Sequence, residues 1–351
     1  MTPKKIQHYL SKFFSEEMVV TRIKKISKGP YSDSYKVDVL VNKSKKSLLI
    51  KRPSKYPPAF IKDIDFFQEY LTSQKATNLA NMFPSVLGCF YVDENDNLVR
   101  LSPSNNKAGL FQIQEYREGE KYLNRLLAKA SKKKFASKER LEIKEISGLL
   151  SKIHQIKPNF MKNNTKKACY KRALREVVTH PRLTLTLFSY ELEKSRIFQS
   201  SFRYDYISEM IKVAEHFGRY YKRLSLIHGD FWSGNILLDK ENKIFFTDYS
   251  NHCYGEPGMD IGNFYIELLW LSVFKKNTFY QQFANYFLEQ YIKKTGDKMI
   301  KKTAVSYIGF TGAICSVKKF FPAVTDQERL KFAQYIYSCL RERRLLQNYG
   351  F

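Results

Sequence analysis

Three polar residues between His228 and Asp248 have the types and spacing needed for phosphoryl transfer from a nucleotide. The pattern is H-x-D-x-x-x-x-N, and a further aspartate follows two short apolar runs. Mg²⁺ takes oxygen ligands from one or two side chains together with substrate phosphates. A separate carboxylate can orient the acceptor hydroxyl and take its proton. We therefore interpret Asp230 as a general base, and Asn235 and Asp248 as ligands of Mg²⁺.

Two apolar segments are expected to position these residues. Residues 236–238 (I-L-L) and 244–246 (I-F-F) have the composition of buried strands, with a polar turn at 239–243. Such a hairpin would hold Asn235 just before its first strand and Asp248 just after its second. The alternative is that Asp230 and Asn235 only cap turns and that Asp248 only ends a strand. That alternative would explain any one of the residues, but it explains the three together poorly.

The segment H-G-D-F-W-S-G-N-I-L-L resembles the catalytic segment of the aminoglycoside phosphotransferase and choline kinase superfamily, which are small-molecule relatives of the protein kinases. The resemblance implies an α+β, bilobal, protein-kinase-like fold. Its N-lobe would be a small antiparallel sheet, and its larger C-lobe would be mainly helical. It also implies ATP, or alternatively GTP, with Mg²⁺ as cofactors. In this interpretation Asp230 and His228 form the catalytic set, and His228 shapes the catalytic loop.

Lys51 ends the third predicted strand, S-L-L-I-K-R-P. The resemblance implies that this lysine reaches the α- and β-phosphates. A helix predicted over residues 59–75 would supply an acidic partner for it. We favour Glu69, because Q-E-Y followed by M-F-P-S-V-L-G resembles the corresponding run of the family, and Asp65 one turn earlier is the alternative.

The turn between the first two predicted strands contains Gly29 and Ser32. A strand–turn–strand with small residues at its tip can lay backbone N–H groups over nucleotide phosphates. Pro30 removes one of these donors. From these residues alone, a plain surface hairpin explains the turn equally well.

The boundary between the lobes is predicted at the strand that runs through Glu115 and Tyr116. The resemblance makes this segment the hinge, where backbone groups of both residues meet the adenine. We therefore expect a nucleotide-binding lobe over residues 1–116 and a helical catalytic and substrate-binding lobe over residues 117–351.

The second lobe shows helical periodicity. One helix is predicted to start near Phe202 and to run to Leu224, with an inward side formed by Tyr204, Ile207, Ile211, Ala214 and Phe217. An earlier helix is predicted to be buried through Leu141, Ile143, Ile146, Leu149, Leu150 and Ile153, and to end near His154, interpreted as a core or capping histidine. Asp260 is predicted at the start of a later helix, where a carboxylate can accept N–H groups or brace the catalytic loop.

The composition indicates a globular protein: 43% of the 351 residues are hydrophobic and 15% are aromatic. The sequence contains no recognisable signal peptide and no apolar run long enough to span a bilayer, so we expect a cytoplasmic protein. The five cysteines are scattered without paired spacing, which favours neither a zinc site nor a disulfide framework.

The formal net charge of +26 allows two interpretations. It could serve an acidic partner, such as nucleic acid or an anionic surface. It could instead reflect the lysine-rich composition typical of an AT-rich genome. Because the lysines are dispersed along the chain, we favour the interpretation that the charge reflects composition. We expect no specific nucleic-acid partner and only weak contact with anionic surfaces.

Together these patterns predict an O-phosphotransferase that acts on a hydroxyl of a small molecule, such as an antibiotic, an amino alcohol or a sugar. Eleven residues separate Asp248 from Asp260, which leaves little room for the activation loop of a protein kinase. The alternatives are a catalytically weak pseudokinase that binds nucleotide and a basic nucleic-acid-binding protein. A cationic acceptor would need acidic residues, and the second lobe offers Asp205, Glu209, Glu256 and Glu267, although the high net charge makes such an acceptor less attractive.

Overall fold

The computed structural model of the protein describes residues 3–28, 32–53, 86–92, 98–100, 110–129, 135–179, 183, 200–248, 254–315 and 323–346. The chain divides into two compact units: Met1–Gly119 with Asp239–Asn251, and Glu120–Leu238 with His252–Phe351. The sequence places the boundary after Tyr116. The division falls three residues later, and it assigns the segment Asp239–Asn251 to the first unit.

The first unit contains a six-stranded antiparallel sheet with the spatial order β1-β2-β3-β6-β4-β5. Its strands are β1 (Met18–Lys28), β2 (Ser32–Val41), β3 (Ser44–Pro53), β4 (Val86–Val92), β5 (Leu98–Arg100) and β6 (Leu110–Glu115). An amphipathic helix, α1 (Pro3–Phe14), precedes the sheet. The predicted N-lobe of antiparallel strands is therefore confirmed.

The core of the first unit lies between α1 and one face of the sheet. Val37, Val39 and Val41 alternate along β2 and are all buried, as the period of two in a strand requires. Tyr9 and Leu10 of α1 belong to the same apolar cluster. This packing supports β3, the strand that carries Lys51.

The second unit is mainly helical. Its described helices are α2 (Tyr122–Ala128), α3 (Ser137–Gln155), α4 (Asn163–Thr179), α5 (Ser200–Phe217), α6 (Gly258–Lys275), α7 (Phe279–Thr295), α8 (Ile300–Thr303), α9 (Val305–Cys315) and α10 (Asp326–Glu342). Short strands β7 (Glu120–Lys121) and β9 (Ile236–Leu238) pair with each other, as do β8 (Ser225–Leu226) and β11 (Tyr254–Gly255). Strand β10 (Ile244–Phe246) belongs to the first unit. Within the described segments, no helix is long and apolar enough to cross a membrane.

The two predicted apolar strands of the catalytic segment are confirmed as β9 and β10. The turn after β9 is closed by the backbone N–H of Asp239, which donates to the carbonyl of Lys243 at 3.1 Å. The Asp239 carboxylate accepts two further N–H groups, from Glu241 and Lys243. Asn242 has a φ of 63°, a left-handed conformation that asparagine adopts more readily than most residues. The polar turn is therefore fixed locally, by residues that the sequence supplies within five positions.

Helix α6 passes very close to the backbone at Thr303 and Ala304. A Cβ placed at Gly258 would lie 2.7 Å from the backbone nitrogen of Ala304, and one at Gly262 would lie 2.7 Å from its carbonyl oxygen. Neither position has room for a larger residue unless the backbone moves. The two glycines, four residues apart, thus let α6 pack against the segment that leads into α9.

Two predicted helix faces are corrected by the structure. In α5 the side chains of Tyr204 and Ile211 are 63% and 48% exposed, whereas those of Tyr206, Met210 and Val213 are buried. In α3 Leu141 is 65% exposed. The predicted positions Ile143, Ile146, Leu150 and Ile153 are buried, as are Ala214 and Phe217 in α5.

Candidate active site

Residues 228–235, which the sequence predicts as the catalytic loop and which keep that name below, lie in the second unit between β8 and β9. The loop begins with two backbone N–H groups that point to one carboxylate: Asp260 accepts from His228 at 2.7 Å and from Gly229 at 2.8 Å. Gly229 has a φ of 85°, which a glycine adopts without steric cost. The predicted brace between Asp260 and the catalytic loop is confirmed.

Asp260 is held in turn by two side chains from other helices. Nε2 of His154, at the end of α3, lies 2.9 Å from its carboxylate, and Nδ1 of the same ring lies 2.7 Å from the hydroxyl of Tyr291 in α7. Burial raises the pKa of Tyr291 far above its usual value, so the hydroxyl keeps its proton and can donate to Nδ1. His154 is then the tautomer that donates from Nε2. The interpretation of His154 as a core histidine is confirmed, and its role is to orient Asp260.

His228 is fully buried, and its ring packs edge-on against Phe231. Its Nδ1 accepts the backbone N–H of Asp230 at 3.3 Å. Phe231 is itself packed edge-on against Phe264 of α6. This placement suits a residue that shapes the loop from inside the core, and it keeps the imidazole away from solvent.

Asp230 is half-buried and is held by Asn235, which was predicted as a Mg²⁺ ligand in the same loop. Nδ2 of Asn235 donates to the Asp230 carboxylate at 3.1 Å and to its backbone carbonyl at 2.9 Å. These contacts orient the amide so that Oδ1 is the atom that could ligate a cation. The two residues predicted as base and ligand are thus brought together at one end of β9.

A second carboxylate of α6 holds the middle of the loop. Glu267 accepts the backbone N–H of Ser233 at 2.8 Å and its hydroxyl at 2.6 Å. Burial raises the pKa of Glu267 to about 7; the two bonds from Ser233 oppose the shift, and the charge of Asp230 adds to it. Ser233 was not among the predicted site residues. The spacing offered a signal, because Asp260 and Glu267 are seven residues apart and therefore share one face of a helix.

The other acidic residues of the second unit have different surroundings. Glu256 is fully buried; it accepts from Arg223 at 2.8 Å and from the hydroxyl of Tyr170 at 2.6 Å, which makes it part of the core. Glu209 pairs with Lys212 on α5 at 2.7 Å. Asp205 lies exposed on the same helix. Of these acids, only Glu267 touches the catalytic loop in the described hydrogen bonds.

In the first unit, the structure brings Lys51 and Asp248 together as an ion pair. The lysine side chain is 8% exposed and the aspartate side chain 53% exposed. Asp248 follows β10 and has a φ of 58°, an uncommon backbone conformation for a residue with a side chain. Such conformations persist where the surroundings hold them, often at ligand sites.

The predicted hinge residues end strand β6. Glu115 is exposed and pairs in register with Leu48 of β3. The N–H of Tyr116 donates to the carbonyl of Ser47 at 3.2 Å, and Nζ of Lys36 lies 4.3 Å from the centre of its ring. The N–H of Tyr116 is therefore already engaged within this unit.

The remaining predicted nucleotide contacts are described only in part. Ser32 opens β2, where its backbone pairs with Pro53. Gly29, Glu69 and the alternative Asp65 lie outside the described residues.

The two side chains predicted as Mg²⁺ ligands are of the chemical type that a hard cation prefers. Asn235 and Asp248 both offer oxygen atoms, which Mg²⁺ prefers, and Mg²⁺ commonly takes only one or two protein side chains. Over the described segments, no group of three or more His, Cys, Asp or Glu side chains could hold a metal ion. A transition-metal centre built from several such ligands is therefore not found in that part of the chain.

Comparison with known sequences identifies the family. The sequence profile described as choline/ethanolamine kinase matches residues 127–328, which is more than half of the chain. The chain belongs to the choline/ethanolamine kinase family. The match begins in α2 and includes the whole catalytic loop together with α6. No curated protein matches the sequence. The family consists of kinases that act on small molecules.

Solved structures of aminoglycoside phosphotransferases share the fold. APH(4)-Ia is 14% identical, with a TM-score of 0.54 over 99% of this chain and 100% of that one. APH(3'')-Id from Streptomyces rimosus is 12% identical, with a TM-score of 0.52 over 88% and 96% of the two chains. Spectinomycin phosphotransferase APH(9)-Ia is 12% identical, with a TM-score of 0.50 over 99% of both, and was solved with ADP and spectinomycin. At these identities the similarity establishes the kinase-like α+β fold.

Proposed function

We propose that the protein transfers the γ-phosphoryl group of ATP, with GTP as the alternative donor, to a hydroxyl of a small molecule. The observation that carries the proposal is the catalytic loop. Asp230 is half-buried, oriented by Asn235, and set in a loop that two carboxylates of α6 hold at its start and at Ser233. A carboxylate fixed in this way is suited to align an acceptor hydroxyl and to accept its proton.

In this reaction the acceptor O–H proton passes to the Asp230 carboxylate. The acceptor oxygen forms a bond to the γ-phosphorus, and the bond from that phosphorus to the bridging oxygen breaks, so that its electron pair leaves with the nucleoside diphosphate. Asn235 keeps Asp230 oriented while the proton is transferred. We assign Asn235 and Asp248 as the side chains that would hold Mg²⁺, which supplies charge neutralisation at the phosphates.

Lys51 is assigned to the nucleotide phosphates. Its side chain is nearly buried at the end of β3, and in this structure it pairs with Asp248. A nearly buried ammonium group retains its charge when an anion lies beside it, and phosphate oxygens can take that place. The assignments of Gly29, Ser32, Glu69, Glu115 and Tyr116 to the nucleotide remain predictions from the sequence.

An amino alcohol is the acceptor class that we propose first. The family to which the chain belongs is described as choline/ethanolamine kinase. The net charge of +26 disfavours a cationic acceptor only if that charge is near the site. Three carboxylates belong to the catalytic loop or contact it: those of Asp230, Asp260 and Glu267.

The test is an acceptor panel that contains amino alcohols, sugars and aminoglycosides, with ATP and GTP in separate series. Nucleoside diphosphate release and the phosphorylated product are both measured. The Asp230→Asn variant, purified in the same way, is the matched control for phosphorylation that does not depend on the Asp230 carboxylate. We expect product from at least one alcohol, a requirement for Mg²⁺, and loss of product in the variant. Equal product formation by both proteins would contradict the proposal.

A further inference from the structure

One imidazole of the second unit lies between two guanidinium groups. His216 is half-buried in the last turn of α5. Its Nε2 lies 3.1 Å from a guanidinium nitrogen of Arg219, and its Nδ1 lies 3.4 Å from a guanidinium nitrogen of Arg343. Arg219 lies just after α5, whereas Arg343 follows α10 and is 127 residues from His216 in the sequence. Both nitrogen atoms of the ring therefore face a cation.

These three side chains cannot satisfy one another's hydrogen bonds. A guanidinium group carries only donors, and a neutral imidazole has one donor nitrogen and one acceptor nitrogen. Whichever tautomer His216 adopts, one of its two contacts therefore places an N–H group against another N–H group. A protonated ring would make both contacts of this kind. The cluster has too few acceptors, and a ligand rich in acceptor atoms would supply them.

The charges around the ring favour an anion. The exposed Lys302 of α8 adds a third positive charge that acts on His216. Burial, followed by the charges of the two arginines and of Lys302, lowers the pKa of His216 below its ordinary value. Within the described segments none of these three cations has a carboxylate partner, and the acid next to the ring in sequence, Glu215, pairs with Arg175 at 3.2 Å. An anion that bound here would offset charges that now repel one another.

The backbone brings the cationic side chains together before any ligand binds. Arg343 is the C-cap of α10 and has a φ of 53°, so the chain turns sharply at this residue. Two residues later, the N–H of the buried Leu345 donates at 2.7 Å to the carbonyl of Lys301 in α8. This bond fixes the end of α10 beside the helix that carries Lys302. A site whose backbone is already in place binds a ligand at a lower cost in entropy.

We propose that His216, Arg219, Lys302 and Arg343 form an oxyanion site, which binds a tetrahedral anion of the phosphate class, either free or in the head group of a lipid. Arginine donates to phosphate oxygens through parallel N–H groups, and lysine binds them as a point charge. In the complex His216 takes up a proton, because the anion offsets the neighbouring positive charges. In the described hydrogen bonds none of the four residues contacts the catalytic loop, so the oxyanion site does not depend on the proposed function.

The test begins with inorganic sulfate, because its charge stays constant where that of phosphate changes with pH. At constant ionic strength, sulfate is titrated while the NMR signals of the His216 ring, assigned with His216→Gln, are recorded. We expect sulfate to raise the pKa of His216, and therefore to bind more tightly at pH 5.5 than at pH 8, a difference that His216→Gln should abolish. Arg343→Gln should weaken sulfate binding by at least about 3-fold. Arg341→Gln is the control and should change it by less than about 2-fold, because Arg341 is exposed on α10 and its charge does not act on His216.

Two further titrations distinguish the sources of the phosphate group. One uses inorganic phosphate, and the other uses vesicles of phosphatidylcholine, either alone or mixed with phosphatidic acid. Binding of free phosphate that Arg343→Gln weakens and Arg341→Gln does not would support a free ligand. Binding to the acidic vesicles alone, with the same dependence on Arg343, would support a lipid head group.

Two results would overturn the inference. One is that sulfate, phosphate and acidic vesicles all leave the His216 signals unchanged. The other is that Arg341→Gln weakens binding as much as Arg343→Gln, since the attraction would then come from the net charge of the protein and not from the oxyanion site. The melting temperatures of the variants should equal that of wild type, because Arg341 and Arg343 are both exposed. Product formation in the acceptor panel is measured separately, so either proposal can fail without the other.

Discussion

Glu267 places its two carboxylate oxygens 2.6 Å and 2.8 Å from the hydroxyl and backbone nitrogen of Ser233. The same helix places Asp260 against the backbone N–H groups of His228 and Gly229. Seven residues, about two turns, separate the two acids, so one face of α6 holds the catalytic loop at two points. The shape of the loop therefore depends on a helix that is packed in the core of the second unit.

The titration of Glu267 should be measurable in the stability of the protein. Its folded pKa of about 7 lies above the ordinary value of 4.5, so the folded state binds more protons than the unfolded state between these values. The free energy of unfolding should therefore fall as the pH rises from about 4.5 through about 7, by on the order of 3 kcal/mol at most.

The glutamine in Glu267→Gln cannot ionise, so the free energy of unfolding of this variant should fall less over the same pH range. Denaturant unfolding at pH 5.5 and pH 8 gives the change in the free energy of unfolding for wild type and for the variant. The contributions of the titratable groups that the two proteins share cancel when the two changes are subtracted. Ser233→Ala is the matched partner variant, because it removes the hydroxyl contact and keeps the titrating acid. Parallel pH profiles for wild type and Glu267→Gln would show that the carboxylate does not titrate in this range.

Asp230→Asn should reduce the rate of phosphoryl transfer without reducing the affinity for the nucleotide. A carboxylate that only accepts the acceptor's proton does not hold the nucleotide, so the Kd for ATP should remain within a few-fold of wild type. The kcat should fall by about 10²- to 10⁴-fold, the usual contribution of a positioned general base. The amide is nearly isosteric and Asp230 is only half-buried, so the melting temperature should change little. A large drop in melting temperature with kcat preserved would instead identify a structural aspartate.

Lys51→Met should impair nucleotide use more than folding. The substitution keeps the apolar stem and removes the charge, and the half-exposed Asp248 can be solvated when its partner is lost. We expect kcat/KM for ATP to fall by at least about 10-fold, because a charge-assisted contact to phosphate is among the stronger polar contacts. Lys46→Met, an exposed lysine of the same strand, is the control and should behave as wild type. Equal kinetics for the two variants would remove Lys51 from the nucleotide site.

Gly262→Ala should destabilise the second unit and reduce activity together. The added methyl group would lie 2.7 Å from the carbonyl oxygen of Ala304, so the helix must move, and Asp260 moves with it. Overpacking of this kind costs about 1–3 kcal/mol. Gly218→Ala is the control, because its added Cβ would meet no atom closer than 3.4 Å. Chemical denaturation and kcat are measured on both, and a neutral Gly262→Ala would show that α6 has room to adjust.

The local parts of the fold could be predicted from sequence, because their causes are local. Strands β9 and β10 are short apolar runs on either side of a polar turn, and the turn is closed by Asp239 within five residues. The placement of His154 in the core and of Asp260 at a helix start was also predicted, but the contact between them, which joins residues 106 apart in the sequence, was not. The strands and the turn need only neighbouring residues to be recognised.

The helix faces were harder to predict, because partners distant in sequence decide them. Leu141 of α3 is exposed, while two acids on the same helix, Glu139 and Glu142, are buried. Lys129 lies 3.4 Å and 2.9 Å from those two carboxylates, and this partner makes their burial possible. A pattern that places every acid outside fails at such a site.

A partner distant in sequence also explains why the buried face of α5 was predicted wrongly. Tyr206 points inward because its hydroxyl donates to the carbonyl of Gly309, at 2.7 Å, in α9. Tyr204, which was predicted to be inward, is exposed. Two tyrosines two residues apart cannot be told apart by composition. Ser233 was missed in the same way, since its partner Glu267 is 34 residues later in the chain.

The ion pair between Lys51 and Asp248 has a thermodynamic consequence for the affinities of the two proposed ligands. If Lys51 binds phosphate and Asp248 binds Mg²⁺, as proposed above, phosphate oxygens would compete with Asp248 for the lysine, and the divalent cation would compete with Lys51 for the aspartate. Either ligand must separate the same pair, so whichever binds first has already released the group that the second one needs. Each should therefore raise the affinity for the other by the same factor, because linkage is reciprocal. Nucleotide and cation would then bind cooperatively, and the free protein would bind either one alone more weakly than it binds that one when the other is present.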